Sequence, residues 1–157
     1  MSTAYPHLTA AVIVTEADRI LMVHEKDNGI KVWNQPAGHI EVGESLTDGA
    51  LRETLEETRY EVALTHLVGI YQTKSPISGL HYVRLCFAAR PVRLVENAPL
   101  DADIEEVRWL PIDEVLAGDY PLRHPSVHQC LADHQAGQRF PLECIKPFTA
   151  SMETSTR

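Results

Sequence analysis

The chain has 157 residues, 44% of them hydrophobic and 23% charged, which is the composition of a single domain with room for one proper core. The formal net charge is -8 and aromatic residues make up only 6%. Both figures argue against nucleic acid, which needs a basic footprint and stacking platforms. An acidic chain can still handle a small phosphate ester if divalent cations supply the compensating charge.

The chain opens MSTAYPHLTAAVIV, with no basic leader and an apolar run far shorter than the ~20 residues that span a bilayer. No membrane partner is expected, and the cytoplasm is the default location. Cys86, Cys130 and Cys144 are widely spaced, with no C-x-x-C. Reduced, mostly buried thiols are expected.

Residues 7–14 read as a buried strand rich in β-branched side chains, and 19–24 as a second. The run Lys26, Asp27, Asn28, Gly29 turns the chain into a third strand at 30–33. A loop follows at 34–44, carrying Pro36, Gly38 and Gly43. A helix is expected at 47–58, with Ser45 as N-cap and Asp48 near the positive end of the dipole. Two long strands at 61–73 and 81–92 flank a turn at 75–79. A strand at 105–110 leads into a short helix at 111–116 opened by Pro111. A last helix at 125–135 is ended by Gly137, and the polar tail from 148 to 157 is expected to fray. Strands on both sides of one mid-chain helix imply a layered α/β or α+β domain covering residues 1–157.

Chemistry concentrates in residues 38–60, GHIEVGESLTDGALRETLEETRY. Glu53, Glu56 and Glu57 are spaced i, i+3, i+4 and share one helix face. Leu51, Thr54, Leu55 and Thr58 point the other way and are expected to pack on the sheet. Like charges at ~5 Å repel by on the order of 1 kcal/mol in water and more at reduced dielectric. Pairing with Lys or Arg at i±4 is not expected to explain the cluster. A hard divalent cation explains it, since Mg²⁺ or Mn²⁺ prefers oxygen ligands and bridges carboxylate to phosphate. Arg52 is placed to clamp a carboxylate such as Glu44 in bidentate fashion.

Gly38, Glu44, Arg52, Glu53, Glu56 and Glu57 fall in register with G-x5-E-x7-R-E-U-x-E-E-x-G-U, where U is bulky and apolar. This segment resembles the Nudix box. Six such matches arise by chance in a chain of this size on the order of once in a hundred thousand. The resemblance implies a Nudix fold, a mixed sheet sandwiched between helices, and hydrolysis of a nucleoside diphosphate linked to some further group. Thr54 replaces an apolar U, and Arg59 stands where the family has a glycine that turns left-handed after the helix. A non-glycine residue there costs roughly 1 kcal/mol, partly offset by a cation at the helix C-terminus. Residues 33–39 and 137–143 further resemble bacterial phosphatases of this family. They imply removal of terminal phosphate from nucleoside tri- and diphosphates and from thiamine-pathway pyrophosphates.

By that resemblance Glu53, Glu56, Glu57 and the backbone carbonyl of Ala37 are expected to hold Mg²⁺. A water then attacks phosphorus, and one glutamate, Glu53 by choice, takes its proton. Trp33 and Tyr71 are candidates to stack on a base, against core or edge packing, Arg84 and Lys74 to meet a distal phosphate, against plain surface charge, and Arg139 to close over the site. Asp101, Asp103, Glu105 and Glu106 are candidates for a further acid, against a plain solvated turn. His124 and His128, i, i+4, resemble half a zinc site but lack a third ligand, so surface or packing roles are expected. The expected partner is a small nucleotide or pyrophosphate, with the chain a monomer or homodimer. Two alternatives remain open: a pyrophosphatase acting on molecules such as ADP-ribose, and a nucleotide sensor that has lost catalysis.

Overall fold

The structure, a computed structural model, describes residues 5–76 and 78–148. These form strands β1 (His7–Glu16), β2 (Arg19–Asp27), β3 (Ile30–Asn34), β4 (Ala37–His39), β5 (Tyr60–Lys74), β6 (His81–Leu94) and β7 (Ile104–Pro111). The helices are α1 (Leu46–Thr58), α2 (Ile112–Leu116) and α3 (Pro125–Gln135), with a 3-10 turn at Leu142–Cys144. The expected fraying of the tail beyond Phe148 lies outside the described residues.

The sheet is mixed, with order β3-β2-β1-β6-β5, β4 pairing β1 and β7 pairing β2. β1 runs parallel to β6 from His7 opposite Tyr82 to Val14 opposite Ala89. Its other edge is shared by β4, at Thr9 to Ala11, and β2, at Thr15 and Glu16. The chain crosses between these partners at Gln35 and Pro36, where Val12 N–H donates to the Pro36 carbonyl at 3.0 Å.

A central strand covered on both faces must be apolar throughout, and Ala10 to Val14 are at most 1% exposed. One face, with Val12, Val14, Leu85 and Phe87, packs against Ala50 of α1. The other, with Ile13, Met22, Val68 and Cys86, packs against Val127, Cys130 and Leu131 of α3 and Val115 of α2. Helices therefore cover both faces, as a sandwiched mixed sheet requires. Cys86 and Cys130 are buried free thiols, while Cys144 is free and exposed.

Two expectations need correction. Residues 34–44 are not all loop, because Ala37–His39 pairs with β1; Pro36 and Gly38 hide a strand this short from any periodicity argument. The buried stripe of α1 also differs from Leu51, Thr54, Leu55 and Thr58. It comprises Gly49, Ala50, Thr54, Glu57 and Thr58, whereas Leu51 is exposed. Thr54 and Thr58 satisfy their hydroxyls by donating to the carbonyls of Ala50 (2.8 Å) and Thr54 (2.6 Å), so small polar residues can face the sheet.

Candidate active site

The start of α1 is held by Ser45, whose Oγ accepts from Asp48 N–H at 3.1 Å, a standard cap for orphan amides. Its end is Arg59, at φ 64° and ψ 10°, whose N–H reaches the Leu55 carbonyl at 2.8 Å. The left-handed conformation expected at this position is present without glycine. Arg59 Nε donates to the Ala98 carbonyl at 2.7 Å, which ties the helix end to the segment between β6 and β7.

Arg52 organises the polar side of the helix. Its Nε and Nη2 donate to the two oxygens of Glu44 at 2.6 and 2.9 Å, and Nη2 also reaches the His39 carbonyl at 3.0 Å. Nη1 donates to Glu53 at 2.8 Å and to Glu56 at 3.1 Å. The last contact is an i, i+4 pair, which corrects the expectation that helical pairing plays no part in the cluster. The guanidinium holds the Glu44 carboxyl down at about 2, and Arg52 itself is raised by the same pairing.

Glu57 behaves differently. It is 5% exposed, and one oxygen accepts the Ala37 N–H at 2.8 Å. Burial pushes its carboxyl up to about 8, with Glu25, Glu53 and Asp101 adding repulsion. Glu53 is also raised by burial, against the pull of Arg52. Gly38 leaves the space that Glu53 occupies: a Cβ there would overlap the carboxyl group. As the side chains stand, no group of three or more Asp, Glu, His or Cys among the described residues is arranged to hold a metal ion. Glu53 and Glu56 turn to Arg52, and Glu57 turns to Ala37.

Two residues that sequence reasoning passed over, Glu25 and Arg123, join this site. Glu25, 6% exposed, is paired to Arg123 at 2.7 Å and accepts from Asn34 Nδ2 at 3.2 Å. The β2–β7 register shifts between His24 and Glu25, a bulge of the kind that re-aims a side chain. Arg123 is delivered by the 121–123 segment, pinned to β3 through Trp33 N–H to Pro121 O (2.8 Å) and Arg123 N–H to Trp33 O (2.9 Å). Glu25 stands in the polar second half of RILMVHEKD, beside His24, Lys26 and Asp27, so nothing in the sequence signals that it is buried, and Arg123 has no signal either.

Arg84 lies beside them, with Nη2 donating to Asn34 Oδ1 at 3.3 Å and Nε buried without a hydrogen-bond partner among the described residues. Asp101 faces Glu53 and Glu57, and its backbone N–H donates to the Glu56 carbonyl at 2.9 Å. Of the other acids expected nearby, Asp103 gives its N–H to Asp101, Glu105 pairs with Lys26 and Lys31, and Glu106 pairs with Arg108.

Several candidates stand elsewhere. Trp33 is 5% exposed in the core, stacked on His24 at 4.4 Å and met edge-on by Tyr120. Stacking on a substrate base does not fall to it. Tyr71 is half-buried, its hydroxyl donating to Asp133 at 2.7 Å. Lys74, opposite His81, alternates to the sheet face away from Tyr71 and Arg84. Arg139 is exposed, and its charge acts on His66 and His134 at the β5 edge, where Leu67 and Phe140 exchange backbone hydrogen bonds. Among the described residues no contact brings it to the acidic cluster. His124 caps α3, its Nδ1 accepting from Ser126 N–H, and His128 Nε2 lies 3.1 Å from the Leu116 carbonyl. His124 thus has a capping role and the exposed His128 a surface one, within the surface or packing roles expected.

A mixed sheet between helices, with an acidic α1 clamped by Arg52 and aimed at β4, defines a class of phosphoanhydride hydrolase. The NUDIX domain family matches residues 5–130, and the chain belongs to the Nudix hydrolases. It is 37% identical over 143 residues to phosphatase NudJ of Escherichia coli K12, covering 91% of this chain and 92% of that protein. The same figures hold for phosphatase NudJ of Shigella flexneri. A solved NUDIX hydrolase from Nitrosomonas europaea superposes with a TM-score of 0.87 at 36% identity, over 92% of this chain and 98% of that one. Enzymes of this family generally use divalent cations. Among the described residues no helix is long and apolar enough to cross a membrane.

Proposed function

We propose that the chain is a cytoplasmic phosphatase of one Nudix domain, working as a monomer or homodimer. Its reaction is removal of terminal phosphate from nucleoside tri- and diphosphates and from thiamine-pathway pyrophosphates, with Mg²⁺ or Mn²⁺ as cofactor. The observation that carries this reading is Glu57, a buried carboxyl crowded by Glu25, Glu53 and Asp101. Such an arrangement is costly as a set of bare charges and is relieved by a cation. The donor set fits one, since Glu53, Glu56, Glu57 and the Ala37 carbonyl offer only oxygen, the preference of hard divalent ions. Resemblance to phosphatase NudJ supports the terminal-phosphate specificity.

When bound, a divalent cation neutralises phosphoanhydride oxygens and lowers the pKa of water. The chain's own groups do the rest. Arg52 fixes the box loop through Glu44 and holds Glu53 and Glu56 on one side of α1. Glu53, with its raised pKa, takes the proton of the attacking water, a role suited to a carboxyl moved toward neutral pH. Arg84, steadied by Asn34, meets a distal phosphate. Product analysis on one nucleoside triphosphate with Mg²⁺ tests the reading. Orthophosphate supports it, whereas pyrophosphate with nucleoside monophosphate supports a pyrophosphatase of the ADP-ribose type. Binding without hydrolysis of any compound in a broad panel supports a sensor.

A further inference from the structure

At the open end of the β4-β1-β6 segment three rings converge outside both hydrophobic cores. His7 Nδ1 lies 3.0 Å from His39 Nε2. The His7 ring centroid is 5.2 Å from that of His39 and 5.2 Å from that of Tyr82, and His39 and Tyr82 are 6.4 Å apart. His39 is exposed, and His7 and Tyr82 are half-buried. Among the described residues nothing hydrogen-bonds the Tyr82 hydroxyl, and each histidine keeps one ring nitrogen unengaged beyond their mutual contact. The group presents ring faces together with free donors and acceptors at ring edges.

Its position follows from the register. His7 is opposite Tyr82, and Thr9 is opposite both His39 and Arg84, so these side chains share one sheet face. From the rings, β6 leads two residues on to Arg84, and β4 leads two residues back to Ala37, which holds Glu57. Each step is about 7 Å of strand. The shared face is the one α3 covers, α1 lies over the other, and the two faces meet at the edge of β4, where Ala37 N–H reaches Glu57. A small molecule with a ring at one end and phosphates at the other would run from the rings past Arg84 to that edge. Trp33 and Tyr71 do not compete, the first being stacked in the core and the second bonded to Asp133.

We propose that His7, His39 and Tyr82 form the subsite for a nitrogen heterocycle of the substrate and set a preference for ring-bearing phosphoanhydrides over inorganic or alkyl ones. This rests on the acidic cluster being the place of phosphoanhydride cleavage, as proposed above. Two uncleavable probes in the presence of Mg²⁺ test it on the full chain by calorimetry: a nucleoside α,β-methylene diphosphate and methylenediphosphonate, which has no ring. The wild type should bind the nucleoside probe about tenfold or more tightly than the ringless one, the effect of one base stacked on an aromatic side chain. In Tyr82→Leu that ratio should fall to near one, and in Tyr82→Phe most of it should survive. The ring protons of His7 and His39 should shift in NMR spectra with the nucleoside probe alone, a readout that stands even if Tyr82→Leu fails to fold. Equal affinities in the wild type, an intact ratio in Tyr82→Leu, or unmoved histidine signals would each overturn the subsite. Ring-selective binding without turnover of any phosphoanhydride would overturn the catalytic reading instead and leave the subsite standing.

Discussion

Arg52 and Glu44 meet through two parallel hydrogen bonds, Nε to Oε2 at 2.6 Å and Nη2 to Oε1 at 2.9 Å, which joins the box loop to the middle of α1. Lysine offers a point charge where this contact needs a planar fork. Arg52→Lys is therefore expected to lower kcat/KM at least tenfold while costing about 1–2 kcal/mol in urea unfolding. The pair also has a pH signature. The Glu44 carboxyl is depressed from 4.5 to about 2 in the folded chain, so its contribution is fully present above 4.5 and is lost as pH falls through 2. Unfolding of wild type and Glu44→Gln, followed from pH 6 downward, should show the wild-type advantage disappearing across that window.

Glu57 has the opposite sign. Its carboxyl is raised from 4.5 to about 8, so the folded chain without cation holds an extra proton, and its stability falls as pH rises through that interval. A cation bound there must displace the proton. Mg²⁺ affinity should climb by about tenfold per pH unit below 8 and level off above it. Calorimetry in buffers of different ionisation enthalpy should find close to one proton released per site at pH 6.5. An affinity independent of pH would show that Glu57 is not a ligand.

Gly38 leaves room for the Glu53 carboxyl, which a methyl group would overlap. Gly38→Ala should displace that carboxyl and reduce kcat by tenfold or more, with stability changed by only about 1 kcal/mol. Unchanged turnover would mean that the position of Glu53 is unimportant for the reaction.

The left-handed Arg59 is separable from its side-chain bond to Ala98. Arg59→Gly relieves the backbone cost but loses that bond, so the two effects of about 1 kcal/mol each nearly cancel. Arg59→Ala keeps the cost and loses the bond. It should be the less stable of the two by about 1 kcal/mol in urea unfolding, and the reverse order would be inconsistent with the left-handed turn.

Much of this site was legible in the residues because the box is local in sequence. Cap, clamp and acidic spacing all lie between Glu44 and Glu57, where the helix and the loop residue just before it set the neighbours. What could not be read came from distance. Glu25 reaches the site through a bulge on β2 and Arg123 through a segment pinned to β3, whereas Asp101, already a candidate acid, is singled out from its three acidic neighbours only by the fold. None has a sequence neighbour in the cluster. The burial of Glu57 was missed for a related reason: the helix face was judged by hydrophobicity, which favours Leu51. Thr54 and Thr58, satisfied within the helix, let the packed stripe rotate toward the acid. For Trp33 the residue type allows either base stacking or core packing, and its contacts with His24 and Tyr120, set by tertiary structure, make it core.

The most direct test is Mg²⁺ titration and turnover of wild type beside the double variant Glu56→Gln, Glu57→Gln. These amides keep shape while removing charge. Cation binding should be lost and kcat should drop at least a hundredfold, with the fold retained by circular dichroism. Undiminished Mg²⁺ affinity and turnover in the double variant would contradict the assignment of these carboxylates as the metal centre.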